Sequence, residues 1–364
     1  MSETAIVIGG GINGLLTARA LSQRGVAVTL LEQADIGRAA SWAGGGILSP
    51  LHPWRYGAEV QALVQRSQAL YPALCAELAE LTGIDPEWTR SGLLTLGADV
   101  DEALAWSNAR GVTAQVVAEY EVREIEPAVV PGAAPAFWMP DVGQVRNPHL
   151  LQALQKELCR RGVKILRQTH VQDMQPEGAG WKVLADTGHW TAKQVVVTAG
   201  AWTARLLTRW ASLAITPIKG QMIQLATLPG TLQRIVLQEN RYIIPRRDGL
   251  VLIGSTLEDV GFETATTPQA RAELLEFAQR IAPALRAFEV VRQWAGIRPA
   301  APAGIPYISA HPQFPGLFVN AGQFRNGVVM APASAQLVVD LMTGAPPCIS
   351  PTPYSIDRRN LNLS

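Results

Sequence analysis

Two patterns of apolar residues share this chain. Short, mostly apolar runs, as buried parallel strands require, occur at residues 5–8, 26–31, 194–198 and 317–321. Elsewhere apolar residues recur every three to four positions, the helical period. Leu15, Ala18 and Leu21 form one such face, and Leu150, Leu151, Leu154 and Leu158 another. The longest carries Val60, Leu63, Val64, Leu70, Leu74, Leu78 and Leu81. The pattern predicts helices from Gly14 to Gly25, over 58–81 and from Pro148 to about Arg161. Gly25 and Gly83 suit helix C-termini, Pro148 suits a first turn, and Pro72 predicts a kink or split. Further helices are expected over 101–110, 270–281 and 332–342, and strands at 163–166, 169–174 and 181–184.

Residues 87–145 and 217–300 differ in character. Strands at 93–96, 116–117, 217–225, 241–245, 250–254 and 290–297 look antiparallel, and Arg247-Asp248-Gly249 is a hairpin signal. Residues 125–140, rich in proline and alanine, are expected to be irregular chain or a domain crossing. The expected fold class is therefore α/β. One discontinuous domain of βα units (1–86, 146–216 and 301–364) interleaves with another on a mostly antiparallel sheet (87–145 and 217–300).

The first run leads into Gly9, Gly11 and Gly14, a G-x-G-x-x-G spacing, then a helix, a second strand and Glu32. Gly9 permits a tight turn, Gly11 lets a pyrophosphate approach the backbone, and Gly14 lets the helix pack closely. Glu32, 18 residues beyond Gly14, stands where a ribose hydroxyl needs an acceptor, so FAD or NAD fits better than NADP. The small-residue loop 33–49, with Gly44, Gly45 and Gly46 consecutive, can bring backbone N–H groups to a flat ligand or phosphate. The turn at Ala199-Gly200 again puts small residues at a strand's C-terminal end.

Composition narrows the classes. The chain has 364 residues, 48% hydrophobic, with net charge +1, which gives no reason to expect nucleic acid or an anionic membrane as partner. Arg160-Arg161, Arg246-Arg247 and Arg358-Arg359 are isolated pairs, expected at solvated loop and helix ends. Cys75, Cys159 and Cys348 are far apart, which suits a reducing cytoplasm and neither zinc nor a disulfide framework. No apolar run reaches the ~18 residues of a membrane span, and the first strand starts too early for a signal peptide. His52, His149, His170, His189 and His311 show no metal spacing, and no G-x-S-x-G elbow occurs. So little acid, base or nucleophile is what a cofactor-driven reaction leaves to its protein.

Three residues remain open on this reading. Arg298, between an apolar strand and a proline, suits either a bidentate carboxylate contact or a structural salt bridge. Tyr242, in an alternating strand, is a core aromatic or a ligand contact. Arg325, in a glycine-flanked turn, belongs to a site or to a surface pairing.

The GGGINGL fingerprint, the SWAGGGIL loop, the VVVTAGAW turn, AGIRP and NAGQFRNGVVMAP occur in that order across nearly the whole chain. Together they resemble the D-amino-acid oxidase class of FAD-dependent amine oxidoreductases, and within it the bacterial branch that oxidises glycine for thiazole biosynthesis. The resemblance implies a Rossmann-like, GR2-type FAD-binding domain. It implies that Gly9, Gly11, Ile12, Asn13, Gly14, Glu32 and Gln33 hold the ADP half of FAD, with Val171 at the adenine through its backbone. Ala40, Ser41, Gly44, Gly45, Gly46 and Ile47 would line the flavin, and Gln323, Phe324, Arg325, Asn326, Gly327, Val328 and Val329 would close over it. Arg298 would bind the substrate carboxylate, with Tyr242 and Arg325 beside it. The chain has Gln323 where this branch often has His, and Leu257 where it often has Met.

The implied reaction is oxidative deamination of glycine, sarcosine and small D-amino acids. Hydride passes to flavin N5, dioxygen reoxidises the flavin to give hydrogen peroxide, and the imine is passed on or hydrolysed. No cysteine lies in the flavin-facing segments, so FAD is expected to be non-covalent. A cytoplasmic homo-oligomer, dimer or tetramer, is expected. Two other readings are a flavin domain modifying a tRNA wobble base and a redox-silent FAD-binding subunit of a larger complex.

Overall fold

The computed structural model describes residues 4–132 and 134–358. Its first sheet has six strands, ordered Tyr307–Ala310, Leu317–Ala321, Gln194–Val197, Thr4–Ile8, Ala27–Leu31 and Lys164–Leu166. All pairs are parallel except the first. Strand alternation divides its side chains between two layers. Ala5, Val7, Val28, Leu30 and Val196 face the helices Ile12–Gln23, Ala58–Thr82, Asn147–Arg160 and Gly327–Thr343. Ile6, Ile8, Leu31, Val195 and Val197 face Met174, Trp181 and Val183 of a three-stranded antiparallel sheet.

The second large sheet has eight strands, ordered Val290–Ala300, Thr216–Ala226, Leu250–Gly254, Arg241–Pro245, Ile235–Gln238, Leu93–Leu96, Ala136–Met139 and Gln115–Val117. Only Ile235–Gln238 and Leu93–Leu96 pair in parallel. One face packs Ile223, Leu225, Ile243 and Val251 against Leu274, Phe277 and Ile281 of the Pro268–Ile281 helix. The other carries Met222, Tyr242, Ile244 and Leu252. We propose that the two domains follow these two sheets, since nearly every strand of each falls within the segments named above.

Three local expectations need correction. The helix through Pro72 is continuous over Ala58–Thr82, so the proline does not split it in two. Pro72 lies on its exposed side, while buried Leu63, Val64, Tyr71, Leu74 and Leu78 hold both halves in the core. The last helix begins at Gly327, not Pro332. A proline there withholds an N–H from the Val328 carbonyl, but the Tyr71 hydroxyl donates to that carbonyl instead. Ser67 Oγ accepts the Ala333 N–H at 3.0 Å, so the long helix repairs the interruption. Residues 125–140 are not wholly irregular, because Ala136–Met139 pairs with strands on both sides. The Gly188–Ala192 strand and the Glu119–Ile125 helix were not anticipated.

Candidate active site

Four parallel strands end at one cavity of about 580 Å³, where open α/β sheets bind ligands. Gly9, Glu32 and Ala199 follow three of these strands, and Gln323 follows the fourth. Ile297, Arg298 and Pro299 of the eight-stranded sheet complete the wall.

The glycine turn is tightly built. Gly9 has φ +110°, and a Cβ there would lie 2.6 Å from the Thr198 carbonyl oxygen. A Cβ on Gly14 would lie 1.8 Å from the Gly9 carbonyl oxygen. The first turn of the Ile12–Gln23 helix leaves amides without intrahelical partners. Ser41 Oγ accepts that of Ile12 at 2.9 Å, and the end as a whole favours an anion. Glu32 accepts from the Gly10 N–H at 2.7 Å and the Ala34 N–H at 2.9 Å. Its carboxylate thus braces the loop and keeps further lone pairs for a ligand.

Two buried acceptors on the wall, Asn13 Oδ1 and Gln323 Oε1, have no hydrogen-bond partner among the described residues. Buried polar atoms are nearly always paired, so these await donors from a polar ligand. With the glycine turn and the helix N-terminus, this suits a dinucleotide cofactor such as FAD.

Most of the residues singled out in the sequence meet here. Gly9, Gly11, Ile12, Asn13, Glu32 and Gln33 line the cavity, and Val171, Ala199 and Gly200 are also on the wall. Ala40, Ser41 and Gly44 join Gln323, Phe324, Arg325, Gly327 and Val328. Seven do not reach the wall. Gly14 packs inside its helix turn. Gly45 and Gly46 back onto Ile244 and onto the Val145 carbonyl, where a Cβ would come within 2.5 Å and 2.1 Å. Ile47 is bridged to Gln144. Asn326 and Val329 are buried, and Tyr242 lies behind the wall beside Arg298.

Arg298 donates from Nη2 to Ser255 Oγ at 2.7 Å and from Nη1 to the Thr256 carbonyl at 3.2 Å. No carboxylate lies within salt-bridge distance of it among the described residues. Two of five N–H groups are engaged, leaving donors for a ligand carboxylate. Burial lowers its pKa; Tyr242 opposes this, while repulsion from Arg325 adds to it. A guanidinium nonetheless stays charged. Tyr242 stands between Gly45 and Gly254, whose added Cβ atoms would come within 3.2 Å and 2.7 Å of its ring. Its hydroxyl points to Met222 Sδ at 3.7 Å. Arg325 donates to Asn240 Oδ1 and to the Asn240 carbonyl, both at 3.1 Å.

Several supporting residues escaped the sequence reading. Arg246, expected in solvent, is buried and donates to Gln144 Oε1, to the Val145 carbonyl at 3.0 Å and to the Gly45 carbonyl at 2.8 Å. Burial, then repulsion from Arg146, pushes its pKa down to about 10. Asn147 Nδ2 donates to the carbonyls of Ser41 and Gly44 at 2.7 and 3.0 Å. Arg358 is also buried, with its guanidinium 3.8 Å from the Tyr307 ring centroid; Arg359 lies outside the described residues. Only the adjacent arginines hinted at any of this. Among the described residues no group of three metal-ligating side chains occurs, and no helix is long and apolar enough to cross a membrane.

The family model described as FAD dependent oxidoreductase matches residues 4–341. A glycine oxidase from Pseudomonas aeruginosa is 43% identical over 359 residues, 98% of this chain and 99% of that one. The bifunctional protein ThiO/ThiG of Trichormus variabilis is 32% identical over 94% of this chain and 53% of its own length. Among solved structures, glycine oxidase from Geobacillus kaustophilus superposes with a TM-score of 0.94 at 31% identity, covering 98% of this chain and 99% of that one.

Proposed function

The chain belongs to the FAD-dependent oxidoreductase family, and from that premise we propose that it oxidises glycine and other small amines, sarcosine and small D-amino acids among them. The observation that carries this reading is Arg298, a cation with no carboxylate within salt-bridge distance among the described residues, on the wall of the cavity that the glycine turn opens into.

Bound FAD supplies a two-electron acceptor that dioxygen can discharge to hydrogen peroxide. In this reading Gly9, Gly11 and the first-turn amides hold its pyrophosphate, and Glu32 and Gln33 its ribose. Ala40, Ser41, Gly44, Gln323, Phe324, Gly327 and Val328 enclose the ring system. Arg298 takes the substrate carboxylate in its fork, and Ser255 and Thr256 keep that fork from swinging. Tyr242 stands beside the guanidinium and favours its charge, and Arg325, held by Asn240, adds positive charge near it. Among the described residues Glu32 is the one carboxylate on the wall, and it is engaged with the loop. Orientation of a neutral amine, rather than a protein base, is therefore what these residues contribute. The imine product hydrolyses to glyoxylate and ammonia or serves thiazole biosynthesis.

The wobble-base and redox-silent readings are not favoured by relatives 43% identical over nearly the whole chain. The wide spacing of Cys75, Cys159 and Cys348 in the sequence supports a cytoplasmic setting. A homo-oligomer rests on the family resemblance alone, and sedimentation of the holoprotein tests it. The function itself is tested with Arg298→Ala. Losing a charge-assisted pair costs on the order of 2–5 kcal/mol, so kcat/KM for glycine should fall roughly 30- to several-thousand-fold with FAD retained. A yellow, folded variant with wild-type kcat/KM would remove Arg298 from the site.

A further inference from the structure

Arg298 reaches its two partners by crossing the Thr216–Ala226 strand. It sits on the neighbouring strand opposite Ile218, passes over Gly220, and meets Ser255 and Thr256 on the far side. The segment that receives it is itself held from behind. Lys219 and Gln221, the alternate residues of the crossed strand, point to the opposite face. There Lys219 Nζ lies 3.0 Å from Glu258 Oε2, and Gln221 Nε2 donates to Glu258 Oε1 at 2.9 Å. The Thr256 hydroxyl donates to the same carboxylate oxygen and accepts the Gln221 N–H at 2.8 Å. Lys219 is buried. Backbone bonds of 2.9 Å run both ways between Lys219 and Glu258. Burial raises the Glu258 pKa, but hydrogen bonds from Thr256, Gln221 and Lys219 outweigh it and keep the carboxyl below its usual range.

We propose that Glu258 is a positioning residue for Arg298: from behind the sheet it fixes residues 255–258, so that the Thr256 carbonyl and the Ser255 hydroxyl aim the guanidinium into the cavity. Glu258 touches no substrate. It acts through Thr256, whose hydroxyl it holds and whose carbonyl Arg298 uses. The negative charge of Glu258 also lies near enough to favour the charged guanidinium. This rests on the proposed role of Arg298, so the test includes a readout independent of turnover.

The experiment uses FAD-loaded holoprotein of the wild type, Glu258→Gln, Glu258→Asp, Ser255→Ala and the Glu258→Gln/Ser255→Ala double variant. Acetate binding is titrated through the visible flavin spectrum, and glycine turnover is measured beside it. In Glu258→Gln the acetate Kd and the glycine KM should rise together, roughly tenfold, with kcat at saturation changed less than about twofold. Glu258→Asp should recover part of the loss. The double variant should lose less than the product of the two single effects, because both act on one guanidinium. Unchanged acetate Kd in a folded, yellow Glu258→Gln protein would overturn the proposal. So would equal loss of acetate affinity in the Asp and Gln variants with lowered FAD content, which marks a merely structural residue. A wild type that binds acetate but does not oxidise glycine would defeat the proposed reaction and leave the positioning claim to the titration.

Discussion

Arg298 lies flat on Gly220: a Cβ added at Gly220 would stand 2.0 Å from Nη1 and 2.2 Å from Nη2. Gly220, with no side chain, clears the path of the guanidinium, while its ladder partner Gly296 makes room for Ala43, whose Cβ would lie 2.5 Å from a Cβ there. The predicted consequence is specific. Gly220→Ala should push the guanidinium off Ser255 and Thr256 while the strand pairing survives. We expect glycine KM to rise roughly 30-fold or more, with about the 2–5 kcal/mol of a disrupted charge pair. FAD content should be near normal. Steady-state kinetics beside flavin absorbance check this, and an unchanged KM would contradict the geometry.

Retention of FAD should depend on Glu32 without any covalent link. Glu32→Gln keeps one acceptor oxygen, so its FAD Kd should rise about 10-fold, the 1–2 kcal/mol of a weakened hydrogen-bond set. Glu32→Lys should lose far more, because an ammonium cannot accept from Gly10, Ala34 or a ribose. Equilibrium dialysis of FAD measures both. None of the three cysteines is on the cavity wall, so acid precipitation should leave the yellow colour in the supernatant. Colour in the pellet would disprove non-covalent binding.

Acid should destabilise the fold through particular carboxylates. Glu258, Asp248 and Asp173 are all held below their usual pKa: burial opposes this, but hydrogen bonds, foremost those from Thr256, Arg146 and Gln175 respectively, outweigh it. A group with a lowered folded pKa stabilises fully above its unfolded value, about 4–4.5 here, and loses that contribution as pH falls through the folded value. The melting temperature should therefore drop as pH falls below about 4.5, and the drop should be shallower in Glu258→Gln. An identical slope in that variant would remove Glu258 from the acid response.

How far the sequence disclosed this site follows the range of the interactions. The turn from Gly9 to Glu32 was legible because its strand, helix and acid are contiguous, and their roles follow from local geometry. Arg298 stood out because a charge between an apolar run and a proline has few reasons to be there. Ser255, Thr256, Glu258 and Gly220 did not stand out. Their connection to Arg298 depends on three strands lying in a fixed register, and no local period encodes that. Arg246 was misread for the same reason, since the carbonyls it ties down are some 100 and 200 positions away. The start of the last helix was misplaced at Pro332 because the repair by Tyr71 and Ser67 comes from a helix over 250 residues earlier.

The most direct measurement is anaerobic mixing of the FAD-loaded protein with glycine, sarcosine, D-alanine and D-phenylalanine, following the visible flavin band. The account predicts that glycine and sarcosine bleach the band, D-phenylalanine does so far more slowly, and Arg298→Ala abolishes bleaching at glycine concentrations that saturate the wild type. Air should restore the colour with release of hydrogen peroxide. A band unaffected by glycine, or bleached tenfold faster by D-phenylalanine, would contradict it.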